Sequence, residues 1–261
     1  DLSMKVTCIE NQKKQRKEKS NYSNLFLMKY FIFCTLFING LVFTSSAQCD
    51  PLKIVVLGSS TSYGTGASHQ DSSYVGRYFR FLADSVNKDC VIYNLALSGY
   101  TSYQMQASGF IPPKNRMRHQ PDTLRNITHA LSLHPDAIII NFPSNDAGSN
   151  FSLQEQKDNY KRVTELADSA GIPYWITSTQ PRNFTRDPLA NQKKLLLTEM
   201  KTILMELYPE SYIDFYEGIQ SKNGNILPQY NCGDDIHLND LGHQLLFTRL
   251  KKKGIHRLLC K

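Results

Sequence analysis

The sequence lacks the short motifs that mark several common classes of binding site. Its six cysteines include no CxxC pair, so a structural zinc site is not indicated. Gly58, Gly64 and Gly66 lie close together, but the lysine of a GxxxxGK(S/T) loop and the GxGxxG order are both absent, which disfavours a nucleotide-phosphate loop. Residues 50–261 also contain no repeat, low-complexity tract or linker, and we therefore expect one domain over this range.

The chain also lacks a strong excess of charge once its first 47 residues are set apart. The full sequence carries +7, but seven of its 30 Lys and Arg and only three of its 23 Asp and Glu lie in residues 1–47. The remaining chain has a net charge of +3, which is an ordinary surface balance. The composition therefore gives no support to a nucleic-acid partner.

Residues 28–47 have the organisation of a signal peptide. A short charged segment precedes an apolar run over residues 30–43, and the small residues that follow predict cleavage after Ala47. The run is shorter than a membrane-spanning helix needs, so we expect no stable membrane insertion after cleavage, with a signal anchor as the alternative. Residues 1–27 are expected to be an extension upstream of a native start at Met28. A secreted or periplasmic location follows from this interpretation.

Four cysteines follow the predicted cleavage site: Cys49, Cys90, Cys232 and Cys260. An exported protein can keep disulfides, and four cysteines allow three connectivities. Cys49 and Cys90 each precede a predicted strand, which favours a bridge between them. Lipid attachment at Cys49 is disfavoured because the bulky Gln48 precedes it.

Residues 50–261 alternate strand-like and helix-like segments. Continuous apolar runs predict strands, and apolar residues at three- and four-residue spacing predict helices. The predicted strands are 53–57, 91–93, 137–142, 174–177 and 212–215, and the predicted helices are 75–86, 122–134, 160–170, 188–207 and 240–252. Asn239 is positioned to cap the last helix. This order predicts an α/β fold with a doubly wound, five-stranded parallel sheet, in which ligands bind beyond the carboxyl ends of the strands.

Two loops at that edge of the sheet carry a serine and a glycine of interest. Ser60 follows Gly58 and Ser59 on the turn that leaves the first strand, where its hydroxyl is exposed and neighbouring N–H groups are free. It is a candidate nucleophile, with a helix-capping serine as the alternative. Gly99 follows the second strand and could offer its N–H to a developing oxyanion, with an ordinary turn glycine as the alternative.

A third loop at this edge follows the third predicted strand. It carries Asn145, whose side-chain amide is suited to donating a hydrogen bond to a tetrahedral intermediate. The alternative is that Asn145 or Asp146 caps the next helix.

The segment before the last helix supplies a candidate base and its partner. His237 can take the proton of Ser60, and Asp234, three residues earlier, can hold the imidazole in the required tautomer. Spacing leaves Asp235 open as the orienting carboxylate instead. A metal site is a weaker alternative, because only His243 and Asp235 lie near enough in sequence to reinforce it.

These strings, in this order and each after the expected strand, resemble the four sequence blocks of the SGNH (GDSL-type) hydrolases. The resemblance covers nearly all of residues 50–261 and implies a three-layer α/β/α sandwich with a flavodoxin-like sheet. The resemblance implies that Ser60 is the nucleophile and the first oxyanion donor, with Gly99 as the second donor and Asn145 as the third. It implies that His237 is the base and Asp234 its carboxylate partner.

Three positions depart from the pattern of that family. Ser59 stands where an acidic residue usually precedes the nucleophile, and Pro143 stands where a glycine usually begins the block of Asn145. Asp235 replaces the glycine usual after the catalytic Asp. None of these changes removes a catalytic functional group.

The sequence and the resemblance together predict a serine esterase that cleaves carboxylic esters through an acyl-enzyme, without metal or cofactor. Export favours acetylated carbohydrate or other short acyl esters, so the expected partner is a small-molecule or glycan ester. The segment 100–118, with Tyr100 and Tyr103, is expected to wall the substrate groove, with a packed surface loop as the alternative. A lysophospholipase or thioesterase of the same fold and a non-catalytic glycan-binding module are the competing functions.

Overall fold

The computed structural model describes residues 51–86, 89–114, 118–142 and 144–259. The predicted extension, signal peptide and cleavage site lie outside the described residues, as does Pro143. In the part of the chain that is described, no helix is long and apolar enough to cross a membrane.

Strands and helices alternate along the described chain. The strands are β1 (Lys53–Gly58), β2 (Val91–Asn94), β3 (Ala137–Asn141), β4 (Tyr174–Thr177) and β5 (Tyr212–Ile213). The α-helices are α1 (Ser60–Tyr63), α2 (Tyr74–Ser85), α3 (Ile127–Ser132), α4 (Asn145–Gly148), α5 (Leu153–Ser169), α6 (Ala190–Leu207), α7 (Asp240–Lys253) and α8 (Ile255–Leu259).

All five strands are parallel and lie in the order β2-β1-β3-β4-β5, which confirms the predicted doubly wound sheet. The chain leaves β1 toward β2 on one side and later returns to β3 on the other, so the strand order reverses between β1 and β3. At this point Gly58, the last residue of β1, pairs with Asn141, the last residue of β3. The loops that carry Ser60 and Asn145 therefore start side by side at the switch point of the sheet.

Alternate residues of β1 bury against different helices, because successive side chains of a strand face opposite sides of the sheet. Ile54 and Val56 pack in a cluster with α2, α7 and α8. Val55 and Leu57 pack in a second cluster with α3, α5 and α6. All four side chains are fully buried. The two clusters make the three-layer α/β/α sandwich and fix the strands whose carboxyl ends carry the candidate site.

The predicted helix over 122–134 is wrong over its first turns. Asp122 accepts a hydrogen bond from the N–H of Leu124, which stabilises a turn instead. Helix α3 begins only after Asn126, whose side chain accepts from the N–H of His129 and caps it. The prediction for Asn239 is confirmed, since its side chain accepts from the N–H groups of Leu241 and Gly242 at the start of α7.

Two of the four cysteines discussed above lie in the described part of the chain. Cys90 is buried and Cys232 is exposed, and no disulfide joins these two. Burial raises the pKa of the Cys90 thiol. Cys49 lies outside the described residues, so its pairing with Cys90 stays a prediction.

Candidate active site

Ser60 lies on a tight turn between β1 and α1. It is the first residue of α1, so its N–H has no acceptor within that helix. Its carbonyl oxygen accepts hydrogen bonds from the N–H groups of Gly64 at 3.0 Å and Thr65 at 2.9 Å, which close the turn. The residue is 8% exposed. The turn therefore holds the hydroxyl of Ser60 at the carboxyl edge of the sheet.

Asn145 opens α4 and lies beside this turn. Its Nδ2 donates to the carbonyl oxygen of Tyr100 at 2.9 Å and to Ser59 Oγ at 3.1 Å. A carbonyl oxygen accepts only, so this contact requires the nitrogen end of the amide to face Tyr100. Asn145 therefore presents N–H groups next to the residue that precedes Ser60.

Gly99 lies in the loop after β2, and its backbone has a φ of 87°. Within the described residues its N–H donates no backbone hydrogen bond. The preceding residue, Ser98, joins its hydroxyl to that of Thr65 at 2.8 Å. The loop of Gly99 is therefore fixed to the turn that follows Ser60.

His237 is oriented by Asp234, not by Asp235. Its Nδ1 lies 2.5 Å from Asp234 Oδ2, and Asp234 Oδ1 accepts the backbone N–H groups of His237 at 2.8 Å and Ile236 at 2.9 Å. Partial burial alone would raise the pKa of Asp234, but the hydrogen bonds from His237 and Ile236 outweigh burial and lower it. Since an ionised carboxylate only accepts, Nδ1 carries the proton and Nε2 is left as the basic nitrogen.

Asp235 has a different function in the structure. Its carboxylate accepts from Asn183 Nδ2 at 2.7 Å, Thr185 Oγ1 at 2.6 Å and Asn231 Nδ2 at 2.9 Å. These bonds fasten the segment before α7 to the loop after β4. Of the two carboxylates that the spacing left open, only Asp234 contacts His237.

The segment after Ser60 packs directly against the segment of His237. A Cβ at Gly66 would lie 2.3 Å from the carbonyl oxygen of Leu238 and 3.0 Å from the Cβ of His237, so this approach requires glycine. Two residues further on, the N–H and hydroxyl of Ser68 donate to the carboxylate of Asp240 at 2.7 and 2.6 Å. Folding therefore joins the chain after β1 to the chain before α7.

Gln180, in the loop after β4, forms a second connection between these segments. Its Oε1 accepts from Thr61 Oγ1 at 2.7 Å, and its Nε2 donates to the carbonyl oxygen of Ile236 at 3.2 Å. Thr61 and Ile236 are the sequence neighbours of Ser60 and His237. No hydrogen bond joins the hydroxyl of Ser60 to the His237 ring within the described residues, and such catalytic bonds are often long in structures without substrate.

Sequence reasoning missed both Gln180 and Arg182. Arg182 Nη1 donates to Asn145 Oδ1 at 3.0 Å. Their position after β4, at the carboxyl edge of the sheet, was the only signal in the sequence that could have pointed to them. It gives no indication of their contacts, because these partners lie 37 to 119 residues away along the chain.

The two tyrosines expected to wall the substrate groove are both buried. Tyr103 is 2% exposed, packs edge-on against Phe151, and donates its hydroxyl to Glu155 at 2.8 Å. Tyr100 is also buried, and its hydroxyl donates to Asp122. Tyr103 nevertheless borders a cavity that Phe110 and Glu155 also line, and the role of the two tyrosines in substrate binding stays a prediction. Their apolar rings found packing partners that the sequence pattern did not identify.

His243 is a buried structural residue in the same region. The N–H of Tyr74 donates to its Nδ1 at 3.3 Å, so Nε2 carries the proton and donates to the carbonyl oxygen of Thr65 at 3.3 Å. Burial lowers its pKa from 6.5 to about 4. Both ring nitrogens are therefore engaged, Nδ1 by the N–H of Tyr74 and Nε2 by the carbonyl oxygen of Thr65, and are not free to bind a metal beside His237. In the described ranges, no group of three or more His, Cys, Asp or Glu side chains is arranged to hold a metal ion.

Fold and site together define a GDSL-type α/β protein. A family model of the GDSL-like lipase/acylhydrolase family matches residues 56–245, and the chain belongs to this family. No curated protein matches the chain.

Three solved structures illustrate the likeness of the fold. A GDSL-like lipase from Bacteroides thetaiotaomicron is 18% identical, with 79% of this chain and 91% of that chain covered and a TM-score of 0.56. The psychrotrophic esterase EstA from a Pseudoalteromonas species is 18% identical, with 80% and 99% covered and a TM-score of 0.55. A catalytic mutant of Axe2, an acetylxylan esterase from Geobacillus stearothermophilus, is 14% identical, with 78% and 94% covered and a TM-score of 0.53. At these identities the likeness shows the fold alone.

The buried neutral state of His243 makes stability depend on pH. Between pH 7 and pH 4 the unfolded chain binds a proton at this histidine that the folded protein does not, so the free energy of unfolding falls as the pH falls. From the ordinary pKa of 6.5 and the lowered value of about 4, we expect a contribution of about 3 kcal/mol. Urea denaturation of the wild type and of His243→Gln at pH 7 and pH 4 should show a smaller loss in the variant. Equal losses of unfolding free energy in the two proteins would contradict a lowered pKa of His243 in the folded state.

Proposed function

We propose that the protein is a serine esterase that hydrolyses carboxylic esters through an acyl-enzyme, with Ser60 as nucleophile, His237 as base and Asp234 as its partner. One observation carries the proposal. The His237 ring is bound to Asp234 at 2.5 Å on a segment that packs against the segment after Ser60 at Gly66. This arrangement supports a hydroxyl nucleophile and an oriented imidazole at one edge of the sheet.

The proposed reaction begins with acylation. Ser60 Oγ forms a bond to the ester carbonyl carbon while its proton passes to His237 Nε2, and Asp234 stabilises the resulting imidazolium. The carbonyl oxygen becomes an oxyanion, for which the N–H groups of Ser60 and Gly99 and the amide of Asn145 are the proposed donors. Collapse breaks the bond to the alcohol, which takes the proton from His237. Water then attacks the acyl-enzyme by the same route, releasing the acid and Ser60.

Ser59 favours the proposed role of Asn145. One N–H of the Asn145 amide is held by the Tyr100 carbonyl, and the other faces the hydroxyl of Ser59 at 3.1 Å. A hydrogen bond to a neutral hydroxyl is weaker than one to a carboxylate. A serine at this position therefore leaves that N–H easier to redirect toward an oxyanion than an acidic residue would.

For the substrate, we propose short acyl esters of a small molecule or glycan, handled by an exported enzyme without metal or cofactor. The signal-peptide pattern of residues 28–47 supports export. The net charge of +3 beyond residue 47 gives no reason to expect a polyanionic partner. That one protein of similar fold is an acetylxylan esterase makes acetylated carbohydrate the first class to test.

The nucleophile is tested by covalent labelling. A fluorophosphonate should label the wild type at Ser60, because the oriented imidazole activates that hydroxyl. Ser60→Ala should abolish labelling and ester hydrolysis, whereas Ser59→Ala, one residue away, should still be labelled at Ser60. Mass spectrometry of the labelled peptide makes the assignment. Label on another residue, or unchanged labelling of Ser60→Ala, would exclude the proposed nucleophile.

The carboxylate partner is tested by a matched pair of variants. Asp234→Asn should lower kcat by roughly 10²- to 10⁴-fold, because the amide no longer holds the productive imidazole tautomer. For Asp235→Asn we expect a kcat within about tenfold of the wild type. Asp235 has a φ of 66°, and asparagine readily adopts this left-handed backbone conformation. Steady-state kinetics on one ester separates the two. A larger loss at Asp235 would reverse the assignment.

The acyl preference is tested with p-nitrophenyl esters of increasing chain length and a panel of acetylated sugars. We expect the highest kcat/KM for acetyl esters and turnover of at least one acetylated sugar. Preference for long acyl chains would indicate a lysophospholipase or thioesterase instead. Glycan binding with no turnover of any ester would indicate a binding module.

A further inference from the structure

We propose that Arg182 is a positioning residue that holds the Asn145 amide for oxyanion stabilisation and strengthens it as a donor. This inference rests on the proposed function and deepens it, because it concerns the same site. Arg182 lies in the loop after β4, from which the proposed mechanism takes no catalytic group.

The first argument is the geometry of the amide. Arg182 Nη1 donates to Asn145 Oδ1 at 3.0 Å, while Asn145 Nδ2 donates to the Tyr100 carbonyl at 2.9 Å. A guanidinium only donates and a carbonyl only accepts, so the two contacts demand the same orientation of the amide. Arg182 and Tyr100 hold its opposite ends, which leaves the N–H near Ser59 as the group free to respond to charge.

The second argument is polarisation. A hydrogen bond from a charged donor is stronger than one between neutral groups. Hydrogen bonds in a chain polarise one another, so a cation at Oδ1 draws electron density away from Nδ2 and makes its N–H groups better donors. The charge of Arg182 would therefore stabilise the oxyanion by way of the Asn145 amide.

The third argument is that the charge of Arg182 is not neutralised by an ion pair with a carboxylate among the described residues. Within the described residues Arg182 makes no ion pair, and its Nε is buried without a hydrogen-bond partner. Burial lowers the pKa of Arg182 and outweighs the opposing effect of the negative charges of Asp234 and Asp187. A partly buried cation without a carboxylate in contact costs stability, and negative charge that develops near it offsets that cost.

The surroundings of Arg182 fix its side chain in place. Its guanidinium lies 5.0 Å from the ring centroid of Phe184. On the other side, a Cβ at Gly148 would lie 3.3 Å from Nη1, which is closer than an ordinary contact. Gly148 belongs to α4, the helix that Asn145 opens. The absence of a side chain at this position therefore lets Arg182 reach along α4 to Asn145.

The experiment is a double-mutant cycle between Arg182 and Asn145, measured as kcat and KM on p-nitrophenyl acetate. Arg182→Met should lower kcat by about 10- to 100-fold with KM little changed, which is less than the roughly 10²- to 10³-fold loss expected on removing an oxyanion donor itself. In an Asn145→Ala background the same change should cost less than about threefold, because Arg182 acts through that amide. Arg186→Met, an exposed arginine in the same loop, controls for loss of charge.

Two further variants keep the test decisive if Arg182→Met does not fold. Arg182→Lys retains the charge with a different donor geometry and should fall between the wild type and Arg182→Met. Gly148→Ala should push Nη1, which the new Cβ would approach to 3.3 Å, slightly away from Asn145 and lower kcat less than Arg182→Met does, again only when Asn145 is present.

The outcomes separate this inference from the proposed function. An active wild type with an equal loss from Arg182→Met in both backgrounds would show a general structural effect and overturn the inference alone. An active wild type with kcat unchanged in Arg182→Met would do the same. A wild type that neither hydrolyses the ester nor is labelled at Ser60 would overturn the proposed function and this inference with it.

Discussion

The site depends on one close backbone contact, where Gly66 lies against the carbonyl of Leu238 and the Cβ of His237. Any side chain at Gly66 would force the two segments apart, since a Cβ would lie 2.3 Å from a backbone oxygen. The contact joins residues about 170 positions apart, so it forms only when the sheet and its flanking helices are assembled. The bonds of Ser68 to Asp240 and of His243 to Thr65 hold the same two segments together.

The sheet explains why that contact falls at the candidate site. Parallel strands end at one edge, and the reversal of strand order between β1 and β3 leaves a crevice there. The segments after β1 and β3 bring Ser60 and Asn145 to this crevice. The loop after β4 supplies Gln180, which bonds to the neighbour of Ser60, and Arg182, which bonds to Asn145. The loop after β4 contributes hydrogen bonds between the other loops. The loop after β4 carries no candidate catalytic group, yet its hydrogen bonds hold the loops that do carry one.

Buried polar groups are costly unless they are hydrogen-bonded, and this requirement rigidifies the site. The buried side chain of Gln180 accepts from the hydroxyl of the buried Thr61 and donates to the carbonyl oxygen of Ile236. The half-buried Asp235 adds bonds from two asparagines and a threonine. Each such bond removes a degree of freedom from a loop that would otherwise move. Asp146 shows the cost of burial, since burial raises its pKa to about 7 although the N–H of Ser102 donates to its carboxyl.

The sequence by itself determined the strands, their parallel direction in an α/β sheet, and the edge of the sheet at which Ser60, Gly99, Asn145 and His237 would lie. These follow from local apolar patterns and from the order of elements, which short segments encode. Only the tertiary structure decided between Asp234 and Asp235, buried the rings of Tyr100 and Tyr103, and revealed Gln180 and Arg182. Those outcomes depend on contacts between residues far apart in the chain. Spacing along the sequence does not indicate which polar group will meet which partner once the loops are packed.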